Sequence, residues 1–364
     1  MHMKKEDHLR LALVKKLLVE KKCGHFLITD PIDAEYICGF HSSNVFLLIS
    51  RANNILFTDF RYTEAARAFC AKHARWRFVL VKENGLAAIA PFCPAGGVVG
   101  IQSGALSVDR FDELKRTLKK IRFVKLGDTI DTLLIPKTAS EIALSSRAAD
   151  IGDKAFNRML KRIKVGMTEK QAALMLEDDC RRRGSEKPSF DTIVLFGERS
   201  ALPHGRPSER RLKKGDFILV DFGCTIDGFV SDMTRTVVMG EASPRQREIH
   251  SIVAKAQQAA REAVHEGVAA RSIDSRARTV IEKAGYGAYF GHATGHGVGL
   301  RIHEKPRIGR ETTASLPASA IITVEPGIYI PRFGGVRIED MVVVRKTGGE
   351  TLTSSPRNLI EVTP

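Results

Sequence analysis

Two apolar runs in the second half of this chain each end in a carboxylate. Phe217-Ile218-Leu219-Val220 leads into Asp221, and Ile321-Ile322-Thr323-Val324 leads into Glu325. Each acid is followed two residues later by a glycine, Gly223 and Gly327. Burying a carboxylate at the end of an apolar strand is costly unless a cation or hydrogen bonds compensate it. Meeting that cost twice restricts the chain to folds that bring both acids to a compensating centre. Asp232, His296 and Glu339 extend the set to four carboxylates and one imidazole. Such an oxygen-rich group suits two divalent ions sharing bridging carboxylates better than one tetrahedral zinc.

The acids belong to an internal repeat. Val165-Gly166 opens a helical segment ending at Gly184, and Gly267-Val268 opens one ending at Gly285, with the same glycine-to-glycine spacing of 18. Leu212 precedes Asp221 by nine residues, and Leu316 precedes Glu325 by nine. A second acid follows in each copy, Asp232 before Thr236-Val-Val-Met239 and Glu339 before Met341-Val-Val-Val344. The offset between copies drifts only from 101 to 107. This predicts one helix-plus-hairpin unit used twice about a pseudo-twofold axis. The hairpin turns fall at Thr225-Ile226-Asp227-Gly228 and at Arg332-Phe333-Gly334-Gly335. Taken singly, each acid reads as an ordinary turn or cap residue. Mirrored positions make them a shared centre. Glycines around His296 let backbone approach a ligand sphere closely, and His292 and His303 stand near it in sequence.

The first half reads differently. An amphipathic helix is expected over residues 8–22, then strands at His25–Thr29, Val45–Ser50, Ile55–Thr58, Arg77–Lys82 and Val98–Ile101, with a helix from near Tyr62. Alternation of strands and helices predicts a small α/β domain. Pro136 precedes a helix capped at Thr138 or Ser140 with Glu141 following. The expected domains are therefore 1–135 and 136–364.

Composition narrows the classes. The chain has 364 residues, 43% of them hydrophobic, enough for a full core, and no apolar run approaches the length of a bilayer span. The polar start Met1-His2-Met3-Lys4-Lys5-Glu6 lacks an apolar signal core. Cys23, Cys38, Cys70, Cys93, Cys180 and Cys224 show no CxxC spacing and read as reduced core thiols of a cytoplasmic protein. The net charge of +15 raises nucleic acid as a partner. Its basic residues are dispersed, and the clusters Arg181-Arg182-Arg183 and Arg210-Arg211 with Lys213-Lys214 lack interleaved aromatics, which favours a solvated surface.

Several segments together resemble the pita-bread metallopeptidases, a family that includes methionine aminopeptidase, aminopeptidase P, prolidase and the metal-free creatinase. They are Ser189-Phe-Asp-Thr-Ile193, Leu202-Pro-His-Gly205, Val220-Asp-Phe-Gly223, Ser231-Asp-Met-Thr-Arg235, His292-Ala-Thr-Gly-His-Gly297, Ile302-His-Glu-Lys-Pro306, Val324-Glu-Pro-Gly327 and Gly335-Val-Arg-Ile-Glu-Asp340. Gly39-Phe40 and Phe57-Thr-Asp-Phe-Arg-Tyr62 resemble the N-terminal domain of the proline-directed members. The resemblance implies an α+β pita-bread catalytic domain preceded by a smaller α/β, creatinase-like domain. It also implies roles. Asp221 would chelate one metal, Asp232 and Glu339 would bridge two, and His296 and Glu325 would complete the other site. Glu325 would accept the proton of the attacking water. His204, His292 and His303 would contact the substrate around the scissile bond, and Arg337 would orient Glu339. Leu133-Leu134-Ile135-Pro136-Lys137 is less basic than the usual family segment there.

The expected activity is metal-dependent cleavage of Xaa-Pro bonds in small peptides, with two manganese or cobalt ions per chain and zinc as the alternative. A homodimer is expected, with no nucleic-acid or membrane partner. Two enzyme readings stay open. A dipeptidase needs a cation at the substrate's C-terminal carboxylate, and Arg307 is the candidate, with an ordinary surface arginine as the alternative. An aminopeptidase P would leave that side of the cleft open. A non-catalytic binding protein on the same fold is a third reading, which the complete ligand set opposes.

Overall fold

The computed structural model describes residues 3–82, 85–127 and 129–363. Its contacts divide the chain into two compact units, Met1–Leu134 and Ile135–Pro364.

Unit 1 contains α1 (Met3–Glu20), β1 (His25–Ile28), α2 (Pro31–Cys38), β2 (Val45–Ser50), β3 (Asn54–Thr58), α3 (Thr63–Lys72), β4 (Trp76–Leu80), β5 (Val98–Ile101), α4 (Val108–Thr117), β6 (Arg122–Lys125) and α5 (Thr129–Leu134). Its sheet runs β4-β3-β2-β1-β5-β6. Only β2 is antiparallel to its neighbours. The expected α/β alternation is present. On α1, Leu11, Val14, Leu17 and Leu18 are buried, whereas Leu9 and Leu13 face solvent. Helix α5 stands just before the expected domain boundary. Six residues are too few for a periodic signal, and burial of Ile130 and Leu134 holds it.

Unit 2 opens with α6 (Ala139–Leu160) and α7 (Glu169–Arg182). Thr138 caps α6 in a reciprocal box with Glu141. Next come β7 (Ile193–Phe196), β8 (Phe217–Phe222), the two-residue strands β9 (Thr225–Ile226) and β10 (Phe229–Val230), and β11 (Met233–Met239). The second copy starts with α8 (Pro244–Glu262) and α9 (Ala270–Lys283). Strands β12 (Gly295–Gly297), β13 (Glu304–Ile308), β14 (Ile321–Val324), β15 (Gly327–Ile330), β16 (Gly334–Arg337) and β17 (Asp340–Arg345) follow, then β18 (Gly348–Thr351) and β19 (Glu361–Val362). The sheets run β19-β11-β8-β7 and β13-β12-β14-β17-β18.

The repeat is visible bond by bond. Gly166 N–H donates to Leu212 O at 2.9 Å, and Gly267 N–H to Leu316 O at 2.8 Å. Leu212 N–H returns to Met167 O and Leu316 N–H to Val268 O, both at 2.9 Å. Gly166, Gly184, Gly267 and Gly285 all have φ between 82° and 103°, the left-handed region that glycine adopts without steric cost. Each copy builds its own core between a helix pair and a sheet, one centred on Phe156, Leu176 and Val220, the other on Val253, Ile273 and Ile322. The copies meet where β11 lies beside residues 337–339. There Glu339 N–H donates to Thr234 O, and Arg337 N–H to Thr236 Oγ1, both at 3.1 Å.

The turn at Asp227-Gly228 is present, with φ of 46° and 78°, but it belongs to the inserted pair β9–β10, so Asp221 and Asp232 are not directly opposed: Asp221 pairs with Thr234. The Gly-His-Gly segment forms strand β12. A Cβ on Gly295 would lie 2.0 Å from Thr323 O, and one on Gly297 would lie 2.1 Å from Lys305 O. Glycine is what lets His296 sit in a three-stranded pairing. All six cysteines are free, and Cys70 is partly exposed while the others are buried. No helix among the described residues is long and apolar enough to cross a membrane.

Candidate metal centre

Strand ends deliver the acids to one place. Asp221 sits on β8, Asp232 just before β11, Glu325 just after β14, and Glu339 between β16 and β17. One oxygen each of Asp232 and Glu339 and one ring nitrogen of His296 lie within 4.8 Å of one another. His296 Nε2 is 3.6 Å from Asp232 Oδ2 and 3.5 Å from Glu325 Oε1.

The tautomer of His296 follows from its other nitrogen. Nδ1 faces the Gly297 carbonyl oxygen at 3.0 Å. A carbonyl only accepts, so Nδ1 carries the proton. Burial lowers the pKa of this ring, so Nε2 presents a lone pair to two carboxylates. Asp221 Oδ1 and Glu339 Oε1 are buried without a hydrogen-bond partner. Burial, then the charges of Asp221 and Glu325, push the Asp232 carboxyl well above the usual range. Burial, then Asp232, does the same to Glu339, and burial pushes Glu325 up to about 7. Converging lone pairs, orphaned oxygens and mutually repelling acids are what divalent cations would satisfy.

Arg337 ties the acids together. Its Nη2 donates to Asp221 Oδ2. Its Nε donates to Thr234 Oγ1 at 3.0 Å, and that hydroxyl donates to Glu339 Oε2 at 2.6 Å. Arg337 thus touches Asp221 directly and reaches Glu339 only through Thr234. Its Nη1 donates to the Tyr329 hydroxyl at 2.7 Å. That hydroxyl in turn lies 2.9 Å from His292 Nε2, while His292 Nδ1 faces Ala293 O at 2.7 Å. Nδ1 therefore holds the proton and Tyr329 donates to Nε2. Burial, followed by the charge of Arg337, lowers the His292 pKa to about 4. The ring is neutral near pH 7, with Nε2 engaged by Tyr329.

His303 is exposed, and its ring stands edge-on to His296 with centroids 4.5 Å apart. His204 is also exposed, close enough to act electrostatically on Glu325, His292 and His303. Arg307 is exposed on β13, the strand beside the one carrying His296. Thr234, Tyr329 and Thr294 escape the sequence reading. Thr234 had a signal, since it lies two residues after Asp232 in a strand and so faces the same side. Tyr329 had none, because its partner Arg337 comes from the next strand.

The match to known proteins covers both units. Residues 143–346 match the model of metallopeptidase family M24, and residues 10–133 match the creatinase/prolidase N-terminal domain. An Xaa-Pro dipeptidase of Pyrococcus furiosus is 44% identical over 352 residues, spanning 96% of this chain and 99% of that protein. The structure of an Xaa-Pro dipeptidase from Bacillus anthracis superposes with a TM-score of 0.92 at 34% identity, covering 98% of this chain and 100% of that one. An X-Pro aminopeptidase from Thermotoga maritima gives 0.88 at 34% identity, covering 97% and 99%.

Proposed function

The chain belongs to metallopeptidase family M24, and we propose that it hydrolyses Xaa-Pro dipeptides at the carboxylate cluster of its second unit. The observation that carries this reading is the convergence of Asp232, His296 and Glu339 beside the orphaned oxygens of Asp221 and Glu339. Family membership implies divalent metal ions, and the donor set fits them. Asp221, Asp232, His296, Glu325 and Glu339 would hold two, with manganese or cobalt favoured by the excess of carboxylate over nitrogen ligands. Such ions, when bound, polarise the scissile carbonyl and lower the pKa of water.

The chain's own groups then do the proton work. Glu325 accepts a proton from the attacking water. Burial raises this carboxyl to about 7 in the metal-free site, and bound cations would favour its ionised form, the form that accepts a proton. His204, His292 and His303 contact the substrate around the scissile bond, His292 with its tautomer set by the Ala293 carbonyl and the Tyr329 hydroxyl. An Xaa-Pro bond has no amide hydrogen, so the site gains by fitting the proline ring and protonating its nitrogen as it leaves. His204 is the candidate donor. Arg307 receives the substrate carboxylate, which favours a dipeptide. We also take the enzyme to work as a cytoplasmic homodimer on small proline-containing peptides, with neither nucleic acid nor membrane as partner.

The deciding experiment compares an Xaa-Pro dipeptide with the matching Xaa-Pro-Yaa tripeptide after loading with manganese, cobalt or zinc. Faster turnover of the dipeptide supports the proposal. Preference for the tripeptide replaces it with Xaa-Pro aminopeptidase activity, the activity named for the Thermotoga relative.

A further inference from the structure

We propose that Asp274 and Arg278, an ion pair on α9, are positioning residues that hold the segment 290–294 in register for hydrolysis, an inference that rests on the role given to His292 above. The pair is buried, with side chains 1% and 9% exposed. Arg278 donates from Nε to Asp274 Oδ2 at 2.9 Å and from Nη2 to Oδ1 at 2.8 Å. Its remaining capacity goes to the segment. Nη1 donates to Phe290 O at 3.0 Å and Nη2 to His292 O at 2.9 Å. The guanidinium carbon lies 4.2 Å from the centroid of the Phe290 ring, and that ring packs edge-on against His292. Asp274 Oδ1 accepts from Thr294 Oγ1 at 2.8 Å and from Thr294 N–H at 3.2 Å. Thr294 O in turn accepts from Glu325 N–H at 2.7 Å. One ion pair thus fixes the backbone on both sides of His292 and reaches the backbone of Glu325.

The internal repeat separates positioning from folding. At the offset of the flanking glycines, Ala173 stands where Asp274 does and Glu177 where Arg278 does. Ala173 is buried, so the first copy packs the same helix with an apolar residue there. The neighbours keep their character, with Leu176 matching Ala277 and Cys180 matching Ile281, all buried. Removing two charges from water is expensive, and apolar residues of similar volume often stabilise equally well or better. The fold therefore does without the pair in one copy and carries it in the copy that bears the histidine segment.

The test is a double-mutant cycle on the metal-loaded enzyme with an Xaa-Pro dipeptide, combining Arg278→Met with His292→Ala. Arg278→Met is expected to lower kcat about 10- to 100-fold, the range for residues that orient active groups, with KM and bound metal little changed. In the His292→Ala background the same substitution should cost little more. Arg278→Lys keeps the charge but cannot reach Asp274 and both carbonyls together, so it should recover only part of the loss. If Arg278→Met does not fold, Arg278→Lys takes its place in the cycle. Effects that multiply across the cycle, or a loss of bound metal that parallels the loss of activity, overturn the proposal while leaving the hydrolytic reading intact. A full kcat in His292→Ala alone overturns the role of His292 and the proposal with it.

Discussion

Arg337 Nη2 donates directly to Asp221 Oδ2, so a guanidinium from the second repeat holds a carboxylate of the first. Within hydrogen-bonding reach the same side chain meets Thr234, which carries the tie on to Glu339. A planar fork with several donors can serve these partners at once, and a lysine cannot. The consequence is geometric. Only one oxygen of Asp221 and one of Glu339 is committed to protein, and the other oxygen of each is left bare. The tie across the repeat fixes the carboxylates without filling the centre.

That bare pair sets the first prediction. Metal analysis after loading should find about two divalent ions per chain, the stoichiometry of paired-ion hydrolases. Asp232→Ala or Glu339→Ala should reduce the bound metal and abolish turnover, and chelation should do the same reversibly. Full activity in protein stripped of metal would exclude the proposed centre.

The second prediction concerns pH and stability of the metal-free protein. Burial raises Asp232, Glu325 and Glu339 above their unfolded values, Glu325 from 4.5 to about 7. At these three groups the folded state binds more protons than the unfolded state above the unfolded pKa, so their contribution to stability falls as pH rises. Buried histidines act the other way below about pH 6.5, His250 and His292 being lowered to about 4, so the carboxyl effect is read above that range, and thermal melts in chelator should show Tm decreasing from about pH 7 to about pH 8. Added manganese should raise Tm, and by more at the higher pH, because cations bind the ionised carboxylates. A chelated protein whose Tm climbs through that window would contradict the assignment.

The convergence of these acids was legible because they sit at strand ends, where an acid interrupts an apolar run. The repeat was legible because positive-φ glycines bracket each helix, and few residues substitute for them. What the sequence hid is of two kinds. Arg337 reads as a partner of Glu339, two residues away, yet its direct bond goes to Asp221, 116 residues away. The sheet register decides that, and spacing along the chain does not. Asp274 and Arg278 look like an ordinary surface pair four apart on a helix. Their interior placement could be inferred from Ala270, Ile273, Ala277 and Ile281, which mark the same helix face as buried. Helix α5 and the inserted strands β9 and β10 were too short to leave a pattern.

The third prediction isolates the proton acceptor. Glu325→Gln preserves size but removes the negative charge and the basic oxygen. A positioned base contributes about 10²–10⁴-fold, and any weakening of metal binding adds to that. The variant should lose at least this much in kcat while its far-UV spectrum and oligomeric state match the parent. Near-normal turnover would mean that another group takes the proton.

The last prediction separates dipeptidase from aminopeptidase through Arg307. This residue is exposed on β13, beside the strand that carries His296, so a cation there can meet a carboxylate projecting from the site. In Xaa-Pro that carboxylate belongs to the proline itself. In Xaa-Pro-Yaa it lies one residue further on, and in a C-terminal amide it is gone. Hydrogen bonds to charged groups are worth roughly 1.5–3 kcal/mol, which corresponds to about tenfold or more in kcat/KM. Arg307→Ala should therefore raise KM for the dipeptide and lower its kcat/KM by about that factor, while tripeptide and amide change much less. The parent enzyme should already prefer the free dipeptide over both. Equal effects of the substitution on all three substrates, in an enzyme that prefers the tripeptide, would assign the chain to aminopeptidase activity and return Arg307 to the surface.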